Sequence, residues 1–304
     1  MDFLEELADI SDLTLKREEP MKKHTTAGLG GNAFCYAEAG SLYALAAALK
    51  TAKKHGVASK VIGCGSNLLV SDAGYDGLII SVKKISDIFI TEQGLRAGCG
   101  TTLATFTQFA LRAGLGGAEE LAGIPGTIGG AVKNNAGAFG KSISDILVFA
   151  EILSEGKVEK RAAKDFRFGY RKSGLKKGET VISATFSLYR QKTSEIEKRR
   201  AEFIGARRAS QPQGRGFGST FKNPVRVSNE EIKHLGAGAI IERAGLKGLS
   251  LGGASVSCKH ANFITLSPSA TAKEVKNLID RIKQEVYEKY GVKLSEEVEY
   301  VGEF

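Results

Sequence analysis

Residues 121–140 read Leu-Ala-Gly-Ile-Pro-Gly-Thr-Ile-Gly-Gly-Ala-Val-Lys-Asn-Asn-Ala-Gly-Ala-Phe-Gly, and this stretch decides the fold. Six of its twenty residues are glycine (Gly123, Gly126, Gly129, Gly130, Gly137, Gly140), where average usage gives about one or two. Glycine loses the most conformational freedom on folding, so such a density implies backbone shaped to touch something closely. Leu121, Ile124, Ile128 and Val132 are interleaved with the glycines, which excludes a flexible linker. A second cluster, Gly63-Cys64-Gly65-Ser66-Asn67-Leu68-Leu69-Val70, repeats the pattern upstream. Two glycine-rich turns bordered by apolar runs point to a large, phosphate-bearing cofactor.

Neither cluster fits a standard phosphate loop. A dinucleotide fingerprint needs Gly-x-Gly-x-x-Gly, but after Gly63 and Gly65 the third glycine position is Leu68. Gly140-Lys141-Ser142 resembles the tail of a Walker A loop, yet the glycine required five residues earlier is Asn135. What remains is backbone N–H at tight turns, and at a helix start near Thr127, facing a pyrophosphate.

Around these clusters, helix, strand and turn alternate. Ser41 is placed to cap a helix with Leu42, Leu45, Ala46, Leu49 and Ala52 on one face, ended by Gly56. Residues 60–62, 78–82, 88–91, 146–153 and 180–189 read as strands. Thr101 or Thr102 opens a second helix, closed by Gly114. Residues 193–209 form a charged helix with little apolar surface, suited to bridging domains. Ser228-Asn229-Glu230-Glu231 and Thr271-Ala272-Lys273-Glu274 are capping-box patterns. The first predicts a helix from Ser228 to about Arg243. The second opens one carrying Val275, Leu278, Ile279, Ile282, Val286 and Tyr290 before Gly291. A boundary falls near 195–210, and the last hundred residues make a compact α+β unit.

Composition narrows the class. A chain of 304 residues holds two or three domains. Its 42% hydrophobic and 25% charged residues describe an ordinary globular protein. No apolar run approaches the roughly 18 residues of a membrane span, and the acidic start Met-Asp-Phe-Leu-Glu-Glu-Leu is no secretory signal. Cys35, Cys64, Cys99 and Cys258 are scattered, fitting reduced thiols in a cytoplasm rather than zinc or disulfides. No metal site is expected. The net charge of +9 asks for an anionic partner, but basic and aromatic residues do not alternate as in nucleic-acid binders. Diphosphate-bearing small molecules account for the charge as well.

With these segments in hand, the chain resembles the UDP-N-acetylenolpyruvoylglucosamine reductase (MurB) family. Gly-Ser-Asn-Leu-Leu-Val at 65–70, Ala-Gly-Ile-Pro-Gly-Thr-Ile-Gly-Gly-Ala-Val at 122–132 and Asn135-Ala136-Gly137 are similar to its FAD-binding part. Vanillyl-alcohol-oxidase-type flavoenzymes share that architecture. Gly169-Tyr170-Arg171, the segment Gly218 to Pro224 (Gly-Ser-Thr-Phe-Lys-Asn-Pro) and the segment Leu294 to Gly302 narrow the match, in colinear order from about 24 to 302. The resemblance implies an α+β protein: a two-subdomain FAD-binding module of vanillyl-alcohol-oxidase/PCMH type (1–85 and 86–195) and a C-terminal α+β substrate-binding domain (205–304), with the last strand able to return to the active site. It is similar to the type II branch, which lacks an extra substrate-covering tyrosine loop.

The implied reaction is reduction of an enolpyruvyl ether to a lactyl ether in peptidoglycan precursor synthesis. Hydride passes from NADPH through noncovalent FAD to the alkene, and an acid protonates the carbon beside the carboxylate. The enolate-like charge that develops must be stabilised. By the resemblance Arg171 holds the carboxylate, which suits its fixed fork of donors. Ser219 is the proton donor, its alkoxide favoured by cations such as Lys222. Glu297 either orients the enolpyruvyl group or acts as an acid through a raised pKa. The family usually has Pro where this chain has Glu296, and often Arg where it has Glu299. Losing one preorganised stabiliser of this charge raises the barrier by about 3–4 kcal/mol. The implied flavin contacts are Gly63, Gly65, Ser66, Asn67, Leu68, Pro125, Gly126, Ile128, Gly129, Gly130, Ala136 and Gly137; Tyr170, Lys222, Asn223 and His260 are the implied substrate contacts. The implied partner is a nucleotide sugar, with no nucleic acid and no stable membrane association. Competing readings are a flavin oxidase of the same architecture acting on another alcohol or sugar, and a basic nucleic-acid-binding protein.

Overall fold

Residues 2–225 and 229–304 are described by a computed structural model. The chain divides into two compact units: 1–19, 34–64 and 77–207 form the first, and 20–33, 65–76 and 208–304 form the second.

The first unit holds two hydrophobic cores. One gathers around the helix Leu42–Lys54, whose Ala44, Leu45, Ala48 and Ala52 are buried with Leu78, Ile80 and Cys35. Ser41 caps this helix as the sequence predicts, accepting the Ala44 N–H at 3.2 Å. The strand Ser59–Ile62 runs parallel to Tyr75–Ser81, pairing Val61 with Ile80. The second core lies on a five-stranded antiparallel sheet ordered Lys157–Ala162, Leu147–Ser154, Thr180–Phe186, Gly94–Gly98, Ile88–Thr91. The expected strand 180–189 ends at Phe186; Tyr189–Arg190 is a separate strand on Leu115–Gly116. Residues 181–186 are all buried, as befits the central strand of the sheet. Against it packs the short helix Ile128–Lys133, which begins at Thr127. The helix Leu103–Arg112 is capped by Thr102, whose Oγ1 accepts the Thr105 N–H at 3.0 Å.

The second unit is built on one core shared by the C-terminal segments with Ala27, Leu29 and Leu69. The helix Ala272–Tyr290 has the expected capping box at Thr271 and ends at Gly291 in the left-handed conformation. Its buried stripe is Val275, Leu278, Ile279, Ile282 and Val286. Asp72 adds a cap of its own, its two carboxylate oxygens accepting the N–H groups of Ala272 and Lys273, both at 2.9 Å. The strand Leu68–Val70 lies parallel to Glu299–Val301, so the glycine-rich segment 63–70 ends in a strand paired with residues 299–301.

One expected helix is shorter than its pattern. It spans Ala237–Arg243 and does not start at Ser228, which lies outside the described residues. Upstream, Asn229 closes a turn: its side chain accepts the Glu231 N–H at 3.0 Å and its carbonyl the Ile232 N–H at 3.2 Å. Gly236 occupies the cap position, and a distant side chain, Asn223 Oδ1, accepts the Ala237 N–H at 2.9 Å. A non-local cap has fixed the start of this helix.

Candidate active site

In the first unit, the glycines of 121–140 do two different things. On the buried side they admit protein. A Cβ at Gly63 would collide with Thr127 Oγ1, and one at Gly129 would stand 3.0 Å from Cys99 Cβ. Gly129 and Ile128 donate their N–H groups to the carbonyls of Cys99 and Thr101, at 2.9 and 2.8 Å. Cys99 itself is sealed in, and burial pushes its thiol up to about 12, so it stays protonated and inert. On the outer side the segment leaves room: Pro125 and Gly130 are exposed, and a Cβ at Gly130 would meet only Thr127 Oγ1, at 3.8 Å. Gly126, with φ of +136°, turns the chain so that its carbonyl accepts the Leu103 N–H at 3.0 Å. The result is an open shelf of backbone fixed from behind. Such a shelf fits a flat, phosphate-bearing group lying against main chain.

The shelf continues into the hairpin Gly137–Ser142, in which Gly137 pairs with Ser142 and Ala138 with Lys141. Ala136 leads into it, its N–H bonded to the Ala131 carbonyl at 2.9 Å. The segment bearing Tyr170 and Arg171 is tied to this region. Arg171 Nη2 donates to the Gly137 carbonyl at 3.0 Å, Asn135 Nδ2 to the Gly169 carbonyl at 3.1 Å, and Ser173 Oγ to the Lys133 carbonyl at 2.6 Å. The Arg171 guanidinium lies 5.2 Å from the Tyr170 ring. Arg171 has φ of +52°, a left-handed backbone that a non-glycine residue adopts only when its surroundings impose it.

In the second unit, Ser219 and Glu297 come from neighbouring stretches of backbone. Glu297 N–H donates to the Thr220 carbonyl at 2.8 Å, Phe221 bridges Glu296, and Lys222 N–H donates to the Ser295 carbonyl at 2.9 Å. Asn67 joins them: its Nδ2 donates to the Glu297 carbonyl and its own carbonyl accepts the Glu299 N–H, both at 2.9 Å. The neighbouring carboxylate, Glu296, is held by Lys283 at 2.7 Å, which separates it from the role assigned to Glu297. Gly65 packs so closely on the His24 carbonyl that no side chain would fit. Ser66 follows it half-buried, and Leu68 is buried in the strand.

Asn262 is the residue that sequence reading left out. It clamps the Ser219 segment three ways: its carbonyl accepts the Thr220 N–H at 2.8 Å, its Oδ1 the Phe221 N–H at 2.9 Å, and its Nδ2 donates to the Phe221 carbonyl at 2.8 Å. The signal available in the sequence was an Asn two residues after a candidate His. His260 Nδ1 accepts the Asn262 N–H at 3.2 Å, and burial lowers its pKa, so the imidazole is neutral with its proton on Nε2. A Cβ on Gly238 would stand 2.8 Å from His260 Cε1. Asn223, a proposed substrate contact, also caps the helix at Ala237. Thus the candidates fall into two sets, with Arg171, Tyr170 and the shelf in the first unit and Ser219, Lys222, Asn223, His260 and Glu297 in the second. Among the described residues, no group of three or more His, Cys, Asp or Glu could hold a metal ion, and no helix is long and apolar enough to cross a membrane.

Comparison with known proteins matches two family domains along the chain. Residues 34–160 match the family described as FAD binding domain, and residues 211–301 match UDP-N-acetylenolpyruvoylglucosamine reductase, C-terminal domain. UDP-N-acetylenolpyruvoylglucosamine reductase of Carboxydothermus hydrogenoformans is 40% identical, over 98% of this chain and 98% of its own. That of Anoxybacillus flavithermus is 38% identical over the same shares. The crystal structure of UDP-N-acetylenolpyruvylglucosamine reductase (MurB) from Thermus caldophilus superposes with a TM-score of 0.81 at 34% identity, covering 95% of this chain and 100% of that one. BBE-like 1 of Physcomitrella patens covers 62% of this chain and 45% of its own at 16% identity and TM-score 0.50, a likeness of fold alone. The C-terminal match does not favour the oxidase alternative.

Proposed function

Since the chain belongs to the UDP-N-acetylenolpyruvoylglucosamine reductase family, we propose that it reduces UDP-N-acetylglucosamine enolpyruvate to UDP-N-acetylmuramate at the expense of NADPH, in the cytoplasm, as a step of peptidoglycan precursor synthesis that serves cell shape and division. The flavin, when bound, supplies the hydride relay between the nicotinamide and the alkene. The shelf residues Gly63, Pro125, Gly126, Ile128, Gly129, Gly130, Ala136 and Gly137 would hold it, and Gly65, Ser66, Asn67 and Leu68 are the further flavin contacts that the family resemblance implies. No histidine lies in either glycine cluster to attach it covalently.

The chain's own groups then manage charge and protons. Arg171 binds the enolpyruvyl carboxylate with two parallel N–H donors and stays cationic as negative charge builds there. Ser219 Oγ delivers a proton to the carbon next to the carboxylate, with Lys222 favouring the alkoxide left behind. Glu297 orients the enolpyruvyl group or supplies that proton. Tyr170, Lys222, Asn223 and His260 contact the rest of the substrate. The observation that carries this reading is the pairing of the Ser219–Lys222 and Ser295–Glu297 segments, which supports a hydroxyl and a carboxyl acting on one substrate.

The visible spectrum of the purified protein tests it. A yellow protein should be bleached by NADPH under anaerobic conditions and recover its colour on addition of the enolpyruvyl nucleotide. A colourless preparation, or colour restored by oxygen but not by that nucleotide, would sink the proposal.

A further inference from the structure

The hairpin Gly137–Ser142 turns through Phe139 and Gly140, both with positive φ, at +52° and +81°. A two-residue turn of this kind favours Asn-Gly, because Asn tolerates the left-handed backbone and a bulky aromatic does not. Here Phe139 takes the strained place and leaves its ring 47% exposed. Neither local propensity nor core packing accounts for a large apolar ring in that position.

The ring is nonetheless held firmly. Phe203, from the helix Thr193–Ser210, lies against it at 4.9 Å between centroids and 34° between planes. The Arg207 guanidinium, one turn further along, is 5.7 Å from the same ring. Gly123 of the shelf lies beneath Arg207, since a Cβ there would be 3.2 Å from Arg207 Cδ. At the base of the hairpin Arg171 grips the Gly137 carbonyl. Burial, then the charge of Arg171, lowers the pKa of Arg207, so the ring is flanked by a cation that has a second cation near it. Left-handed backbone at Asn135, Phe139, Arg167 and Arg171 gathers on these same two segments. Strain concentrated beside a site is a mark of ligand contact.

We propose that Phe139, backed by Phe203 and flanked by Arg207, is a stacking platform for a heteroaromatic ring carried on a phosphorylated ribose. The exposed face of Phe139 takes the ring, and Arg207 faces the phosphate side. This rests on the reductase reading, which offers two sources of that chemistry: the nicotinamide nucleotide and the uridine nucleotide. Phe139 thereby sets nucleotide affinity and takes no part in proton or hydride transfer.

Calorimetric titration of the holoenzyme with NADP+ and, separately, with UDP tests the platform without turnover. Phe139→Asn should weaken binding of one of the two about tenfold, the scale of one lost base-stacking contact, while its Tm stays level or rises because the turn is relieved. Phe139→Tyr, which keeps the ring, should bind like the wild type. Weakening toward NADP+ alone assigns the platform to the reductant, and toward UDP alone to the substrate. Unchanged affinity for both, or weakening accompanied by a fall in Tm, would overturn the platform. Wild-type protein that bound neither probe would instead overturn the reductase reading on which it rests.

Discussion

At the scale of single residues, the proposed reaction separates groups that position from groups that react. Ser219 sits in a segment whose backbone is pinned by Asn262 and by the segment bearing Glu297. Removing only its hydroxyl should leave that frame intact. Ser219→Ala is therefore expected to accept hydride from NADPH at the wild-type rate and to lose reoxidation by the enolpyruvyl substrate, as read by stopped-flow absorbance in the two half-reactions. Equal loss in both halves would remove Ser219 as proton donor. Gly63 makes the opposite case. Its missing side chain is what lets Thr127, at the start of the helix Ile128–Lys133, close on the preceding strand. Gly63→Ala must move one of these partners, so the purified protein should carry less flavin per chain, measured as visible absorbance over total protein. Full occupancy would show that the shelf tolerates the shift.

At the scale of elements, what was legible in the sequence was local. Ser41, Thr102 and Thr271 mark helix starts because a cap is read within four residues of itself, and all three bond as expected. The start at Ala237 was illegible because its cap, Asn223, comes from another segment. The continuous burial of residues 181–186 was obscured because Ser183 and Thr185 are polar, whereas the middle place in the sheet buries them too. The glycine shelf announced itself by composition, but the residues that brace it did not. One brace is the charged helix Thr193–Ser210, whose Arg199 donates to Glu120 at 2.7 Å. Glu120 is buried in the turn that opens the shelf, next to Glu119, which accepts the Gly117 N–H at 2.7 Å. Arg199→Ala would leave the Glu120 carboxylate without its cation, at a cost of about 2 kcal/mol in urea denaturation. Glu120→Gln in the same background should recover part of it. No change in either variant would make the ion pair decorative.

For the whole molecule, acid stability follows from an ion pair remote from the site. Hydrogen bonds from Arg161 hold the Glu179 carboxyl down at about 2, against an ordinary value of 4.5. A carboxyl depressed in the folded state contributes its stability above the unfolded value and loses it as pH falls toward the folded one. This contribution, on the order of 3 kcal/mol, is thus complete above about pH 5 and fades between there and pH 2. Glu179→Gln should flatten the stability profile across that window; a profile unchanged by the substitution would assign the acid limb elsewhere.

The parallel strands Leu68–Val70 and Glu299–Val301 impose an order on biosynthesis. Asn67 and Glu297 are 230 residues apart in the chain yet bonded in the fold. Contacts so distant in sequence are slow to form. On the ribosome, the first of these strands must wait unmated until the segment carrying its partner has been translated. A nascent polypeptide arrested before that segment therefore carries an unmatched strand edge, open to mispairing with a neighbouring molecule.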